Sequence, residues 1–419
     1  MKILHVIAGL KLSYPGGVSN YVRMLAETQH KNGDEVWILG EKDSIKYPFN
    51  YYEYKTDKIC SFTIGKMEDK NGLKQIEKFL KQQSFDIIHL HAVFNLDWDF
   101  FKVVKSYCYI VSLHDYFYLC PRGAVMITPK RKLCTCYSEE KCCACIGYLE
   151  QMVEKNWLLR KTCGFFRRFL HVNLKTKLPY MYQKVTIARF EKMKCLLENA
   201  ALLLPVSRRT KEIYENSSIV NKYEILYIGN IHADQYTENY VLSPLNIDSK
   251  IHIAMVGELS YMKGAEIFIK IAKTIDKNKY VMHFYGKSQK EYEKVAQASG
   301  VIMHGKYKQS EMKEILRKVD IGLVLPVCED AGPQVVMELL NNHIPVVTTR
   351  MGGIPDFVDE KNGFLFNPYN DAEIMSVINF FDKLNFEKIN FFKKNITRTT
   401  TTQEHYLDLS KVYQKLLKN

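Results

Sequence analysis

Short apolar runs alternate with amphipathic stretches along almost the whole chain. In the first half the runs are Ile3 to Ala8, Val36 to Leu39, Ile87 to Leu90, Ile110 to Leu113 and Leu202 to Val206. Continuous apolar runs of this length fit strands buried on both faces of a parallel sheet. From Val18 the positions Val18, Tyr21, Val22 and Leu25 recur at helical spacing, Gly33 is placed to end that helix, and Ser207 is a good N-cap for the helix after the last run. The second half repeats the alternation with Ile253 to Val256, Val281 to Tyr285, Val301 to His304, Ile321 to Leu325 and Pro345 to Thr348 as strands. Strands alternating with helices predict an α/β protein built from βαβ units.

A polar stretch, GNIHADQYTENYVLSPLNIDSK, separates the two halves. It divides the chain into a first domain over 1–245, a second over 246–400 and a terminal helix over 401–419. The first domain carries a cysteine-rich insertion at 120–145 and a basic, aromatic segment at 151–200.

With 419 residues, 47% hydrophobic and 25% charged, the chain is long enough for two or three domains with sizeable cores. No apolar run approaches the ~18 residues that cross a bilayer. The opening MKILHVIAGLKL resembles a signal peptide in its Lys2 and apolar stretch, but it contains His5, meets Lys11 and lacks a small-residue cleavage site. A cytoplasmic location is expected.

The formal net charge is +13, and its distribution matters more than its size. Between Gln151 and Ala200 eleven Lys or Arg face three Glu. There Trp157, Leu158, Leu159, Phe165, Phe166, Phe169 and Leu170 interleave with Arg160, Lys161, Arg167 and Arg168. Rings and cations mixed in this way suit an anionic membrane surface, where each cation gains about 1 kcal/mol. The same pattern also fits a helix packed on the first domain with a solvated basic face. A peripheral position at the inner membrane face is the sharper expectation; nucleic acid is not expected, because the segment is apolar-rich and no nucleic-acid motif appears.

The most informative stretch begins at Leu323, LVLPVCEDAGPQVVMELLNNHIPVVTTRMGGIPDF. An apolar strand runs into a loop with Glu329, Asp330, Gly332 and Pro333, then a helix carrying Glu338, another apolar strand and the Gly352-Gly353 turn. Ligands of open α/β sheets sit outside the carboxyl ends of the strands, where these groups cluster. The segment resembles the acidic signature of family 4 of the retaining glycosyltransferases, which have the GT-B fold. Further matches in order along the chain are Lys2 to Ala8 with Pro15-Gly16-Gly17-Val18, FDIIHLHA from Phe85, VSLHDYF from Val111, LLLPVS from Leu202 and MVGELSYMKG from Met255.

The resemblance implies two Rossmann-like domains with parallel sheets facing across an interdomain cleft, and a nucleoside-diphosphate sugar as donor. It implies that Glu338 binds the ribose hydroxyls, that Lys263 neutralises the diphosphate, and that Gly16, Gly17, Gly257, Gly332 and Pro333 let backbone approach the donor. His114 falls at the position that reaches the sugar near the reacting carbon, and Asp330 or Glu329 would orient that sugar. The sequence departs from the family at Glu258, where an arginine is usual, and at the first acid, where Asp330 is one methylene shorter. The expected activity is retaining, hexosyltransferase-type transfer to a glycan or lipid-linked hydroxyl in polysaccharide or glycolipid assembly. A noncatalytic scaffold subunit and a sugar-nucleotide epimerase are the competing readings.

Two smaller patterns complete the picture. Asp97-Trp98-Asp99 has the look of a metal-binding acid pair, but it stands where a helix begins, so Asp97 is read as a cap; no donor-site metal is expected. Six of the eleven cysteines fall between Cys120 and Cys145. In a reducing compartment two thiolate pairs flanking a short loop suit structural zinc. Cys120, Cys134, Cys142 and Cys145 are the best four, with Cys136 and Cys143 as substitutes; free or redox cysteines and an iron–sulfur cluster are the alternatives. His89 and His91 alternate on one strand and are read as buried and hydrogen-bonded.

Overall fold

The computed structural model describes residues 1–14, 16–53, 70–120, 126–128, 131–134, 137–138, 141–142, 145, 179–246, 248–308 and 311–418. The segment 151–178, with most of the basic aromatic stretch, lies outside the described residues, as do Cys136 and Cys143.

The chain forms two compact units, one of residues 1–227 and 406–419, the other of residues 228–405. The first unit contains β1 (Lys2–Ala8), α1 (Gly17–Lys31), β2 (Glu35–Gly40), β3 (Asn50–Glu53), α2 (Lys70–Gln83), β4 (Ile87–Val93), α3 (Phe100–Val104), β5 (Tyr109–Leu113), α4 (Pro179–Glu198), β6 (Leu202–Pro205) and α5 (Arg208–Glu215). Its six strands pair in the order β3-β2-β1-β4-β5-β6, all parallel. The apolar runs become β1, β2, β4, β5 and the edge strand β6, and Ile3, Leu4, Val6, Ile38, Ile87, Ile88, Ile110 and Val111 are fully buried. α1 ends as its sequence predicts: Gly33, at φ +88°, donates its N–H to the His30 carbonyl at 3.1 Å. Ser207 caps α5 by accepting from the Thr210 N–H at 3.3 Å.

The second unit contains β7 (Ile251–Leu259), α6 (Ala265–Thr274), β8 (Tyr280–Ser288), α7 (Lys290–Ala298), β9 (Val301–Gly305), α8 (Met312–Leu316), β10 (Ile321–Val324), α9 (Gln334–Asn341), β11 (Val346–Thr349), β12 (Gly363–Phe366), α10 (Asp371–Lys383) and α11 (Phe386–Lys394). Its sheet order is β12-β11-β10-β7-β8-β9, again parallel throughout. Val336, Leu339 and Leu340 of α9 pack with Ala254, Val346 and Ile354 in one core. That packing fixes which face of α9 remains for Glu338. The last helix, α12 (Thr402–Lys418), starts in the second unit and ends in the first, where Tyr413 is fully buried.

The passage between units comes earlier than the polar stretch suggests. Residues from Ile228 already belong to the second unit, because their polar groups bond to it. Asn230 N–H donates to Thr400 O at 3.0 Å, Tyr236 OH to Ile396 O at 3.1 Å, and Thr237 O accepts from His343 Nε2 at 2.6 Å. Among the described residues, no helix is long and apolar enough to cross a membrane.

Candidate functional site

In the second unit the expected donor residues gather at the carboxyl ends of β7 and β10 and along α9. After β7 a short 3-10 turn, Tyr261–Lys263, leads to Gly264 and the start of α6. Lys263 Nζ donates to Asp330 Oδ2 at 2.8 Å, and that carboxylate raises the pKa of the lysine. The pair joins two loops far apart in sequence. The loops also meet through backbone: Val327 N–H donates to Met262 O at 3.0 Å, and a Cβ on Gly264, at φ +81°, would stand 1.9 Å from Leu325 O. Gly264 is therefore required twice, by its left-handed conformation and by the closeness of the approach.

The acidic loop 325–333 is held from its other side as well. Thr348 and Thr349, at the end of β11, donate their hydroxyls to Val324 O and Pro326 O, each at 2.6 Å. Gly353 N–H donates to Asp330 O at 2.8 Å, and a Cβ on Gly352 would lie 2.0 Å from the same oxygen. The two acids that sequence left as alternatives are thereby separated. Glu329 is buried and accepts the Gly352 N–H at 2.9 Å, which ties its carboxylate into the glycine turn. Asp330 is half-buried and faces Lys263.

Glu338 lies half-buried on α9, between the core residues Met337 and Leu339. Its charge reaches Tyr307, whose phenol is pushed up to about 12 by burial first and then by that carboxylate. Tyr307, in the loop after β9, was not singled out by sequence, where only its place after a strand end could have pointed to it. Gly332 O accepts from the Gln334 N–H at 2.9 Å and Pro333 is the residue before α9, so both sit at the start of the helix that carries Glu338. Gly257 has φ +118° with open space where a side chain would stand, and its carbonyl lies 1.7 Å from where a Cβ on Gly286 would fall. Glu258 is exposed and registers with Lys287 of β8, while its charge adds a minor contribution to raising Lys263.

In the first unit Gly16 is the N-cap of α1, with Asn20 N–H donating to Gly16 O at 2.9 Å, and Gly17 is its first residue. His114 follows β5 directly. Its Nε2 lies 3.0 Å from His91 Nδ1, and its ring centroid 4.7 Å from that of Tyr21. The next residue, Asp115, has its carboxyl pushed up to about 6 by burial, partly offset by the Phe117 N–H and by Arg189. A carboxyl raised above its unfolded value of ~3.9 favours folding below that pH, and the contribution is lost as pH rises through the folded value. Asp115→Asn should therefore gain melting temperature over the native chain as pH rises from 4 to 6.5, measured by calorimetry across that range; a constant difference would contradict the assignment. The loop 114–120 is pinned by Arg189, which is buried and donates to Phe117 O and Tyr118 O.

His5, His89 and His91 bring ring nitrogens close enough to hold a metal ion. All six of those nitrogens are already hydrogen-bonded. His5 reaches His91 at 2.9 Å and Gln29 Oε1 at 2.6 Å, His89 reaches Tyr413 and Ser112 at 2.7 Å each, and His91 reaches His114. The cluster is thus a polar network. Asp97 does not cap α3, whose N-cap is Asp99; its carboxylate closes a turn ahead of the helix by accepting the Asp99 N–H at 2.7 Å, while Asp99 pairs with Lys192 and, at 3.3 Å, with Lys102.

The cysteine segment folds back on itself. Ile127 and Leu133 form an antiparallel bridge, Cys134 N–H donates to Met126 O at 2.8 Å, and Cys142 N–H donates to Ser138 O at 2.8 Å. Cys120, Cys134 and Cys145 are near enough to Cys142 for their charges to act on its thiol, and none of the described cysteines is in a disulfide.

Residues 250–380 match the family described as glycosyl transferases group 1, the part of the chain that holds Lys263, Asp330 and Glu338. Sulfoquinovosyl transferase SQD2 of Arabidopsis thaliana is 27% identical over 117 residues, which are 27% of this chain and 23% of that protein. The match thus spans about a quarter of that relative's length. A protein of 41.2 kDa in the cps region of Klebsiella pneumoniae, described as uncharacterized, is 21% identical over 99% of this chain and 100% of its own length. Among solved structures, Anabaena Alr3699/HepE in complex with UDP and glucose superposes with a TM-score of 0.65 over 99% of both chains at 14% identity. At that identity the likeness is one of fold. Two six-stranded parallel sheets with flanking helices, and this likeness, make the architecture GT-B.

Proposed function

We propose that this chain is a family 4-type retaining glycosyltransferase that moves a hexose from a nucleoside-diphosphate sugar to a hydroxyl of a glycan or lipid-linked acceptor. The observation that carries the reading is the Lys263–Asp330 pair, 2.8 Å apart, in the group 1 transferase region that also holds Glu338. A diphosphate arriving there meets a cation whose present partner is a carboxylate, and the lysine can exchange one anion for the other. The paired oxygens of Glu338 suit two adjacent ribose hydroxyls, since a carboxylate accepts several hydrogen bonds at once. Asp330, released from Lys263, is then placed to accept from sugar hydroxyls, and Glu329 keeps the loop in shape through Gly352. Gly257, Gly332 and Pro333 offer backbone at the same strand and helix ends. In the first unit the same resemblance gives His114 the reacting region of the sugar and has Gly16 and Gly17 let backbone approach the donor. The acceptor hydroxyl would attack on the face from which diphosphate leaves, and the GT-B resemblance implies that no donor-site metal is needed, with Lys263 as the cation for the departing diphosphate.

The relative from a cps region and the UDP- and glucose-bound fold neighbour support polysaccharide assembly with a nucleotide sugar. Contact of the basic segment with an anionic membrane belongs to the same reading. The test is incubation of purified protein with uridine, guanosine and adenosine diphosphate sugars. Slow diphosphate release with an unchanged anomeric configuration supports transfer. Isomerised donor would make the chain an epimerase, and no turnover with any donor a scaffold.

Cys120, Cys134, Cys142 and Cys145 are proposed to hold a structural zinc. Thiolates are the donors that zinc takes in closed tetrahedral sites, and the ion would tie the segment together. Protein purified without chelator should carry about one zinc per chain, and replacing Cys142 and Cys145 by serine should remove it. Metal-free protein with four freely titrating thiols would refute the site.

A further inference from the structure

The buried histidines of the first unit form a directed chain that ends at His114. His114 Nε2 meets His91 Nδ1 at 3.0 Å, His91 Nε2 meets His5 Nδ1 at 2.9 Å, and His5 Nε2 meets Gln29 Oε1 at 2.6 Å. The Gln29 side chain also bonds to Tyr413. Tyr413 meets His89 Nδ1 and His89 Nε2 meets Ser112 Oγ, both at 2.7 Å, and Ser112 bonds in turn to Tyr21, whose ring touches His114. Helices α1 and α12 and strands β1, β4 and β5 each contribute to this network. His91 occupies the place where the β1–β4 register shifts, between the pairs Val6–Leu90 and Ile7–Ala92. The extra residue in one strand re-aims its side chain.

His5, His89, His91, Gln29, Ser112, Tyr21 and Tyr413 are all buried. An imidazole held neutral has one donor and one acceptor nitrogen, so in an unbranched chain every proton position follows from one end. That end is Gln29. With its oxygen on His5, His5 must donate from Nε2, hence His91 from Nε2, hence His114 from Nε2. Turning the amide over would reverse every bond and place the His114 proton on Nδ1. An amide takes up no proton at neutral pH, so the chain has no exit for protons and acts on orientation alone.

We propose that Gln29, His5 and His91 are positioning residues that hold His114 as the Nε2–H tautomer, with Nδ1 as an acceptor for a sugar hydroxyl. The choice of ligand rests on the glycosyl-transfer reading; the tautomer does not. Substrates that present a hydroxyl donor to Nδ1 are then favoured over their deoxy or O-methyl analogues at that position.

The experiment is long-range proton–nitrogen NMR of the full chain labelled with nitrogen-15 in histidine. In the native protein His5, His91 and His114 should each show a protonated Nε2 and an unprotonated Nδ1. A His114 proton on Nδ1, or an averaged tautomer signal in the native protein, overturns the proposal. Gln29→Met should average the His114 signals while Gln29→Glu, which still accepts from His5, keeps them as in the native chain. With an active donor, Gln29→Met should lower kcat about tenfold at unchanged donor KM, and Gln29→Glu should restore most of it. Equal loss in both variants would overturn the positioning role. Should the tautomer be found fixed in a chain that turns over no donor, glycosyl transfer fails and the tautomer lock stands.

Discussion

Glu338→Ala will lower kcat/KM for the donor by ~100-fold or more, with little change in melting temperature. Hydrogen bonds to a charged group contribute about 1.5–3 kcal/mol each, and two ribose hydroxyls are at stake. Stability should hold because the side chain is only half-buried and the face of α9 that makes the core, Val336, Leu339 and Leu340, is untouched. Glu338→Gln, of the same shape, should recover only part of the loss, since an amide has one acceptor oxygen where the carboxylate has two. Donor kinetics beside calorimetry check this; native kinetics in Glu338→Ala would show that the carboxylate is a helix-surface acid and nothing more.

The second large effect is one of stability with a functional consequence. Gly264→Ala places a methyl group 1.9 Å from Leu325 O in a residue at φ +81°. Relief requires the 3-10 turn Tyr261–Lys263 to part from the loop 325–333. Combined strain and overlap should cost about 3 kcal/mol or more, which for a unit of this size lowers the melting temperature by roughly 6–12 °C. Below that temperature the Lys263–Asp330 contact should be displaced, so donor binding weakens in protein that is still folded. Calorimetry and donor titration on one sample check both parts. Tolerance of alanine at this position would mean that the two loops do not pack as described.

The sheets were legible because buried parallel strands are written as unbroken apolar runs. Ile253 to Val256 and Ile321 to Leu325 needed no tertiary information. The two strands that sequence missed are edges. Asn50–Glu53 reads NYYE and remains partly exposed, and Gly363–Phe366 reads GFLF between turn residues, too short to stand out. The unit boundary was misplaced for a related reason: a polar stretch looks like a linker, although Asn230, Tyr236 and Thr237 spend their polar groups on bonds within the second unit.

Residue types and order single out Lys263, Asp330 and Glu338 as candidates, while the different contacts of Glu329 and Asp330 did not follow from spacing. One is taken by Gly352 and the other by Lys263, and both contacts come from segments distant in sequence. The same limit applies to the histidine chain. His89 and His91 announce themselves by alternation, but His5, Gln29 and Tyr413 join them only through the fold, and no local pattern encodes a contact across 324 residues such as that of His89 with Tyr413.

The most direct test is calorimetric titration of the full chain with uridine, guanosine and adenosine diphosphates, repeated on Lys263→Ala and Glu338→Ala. One nucleotide should bind the native protein, with affinity falling at least ~10-fold in each variant, as the loss of a single charge-assisted contact requires. Absence of binding for all three, or equal affinity in native and variant proteins, would contradict a nucleotide-sugar site built on these two residues.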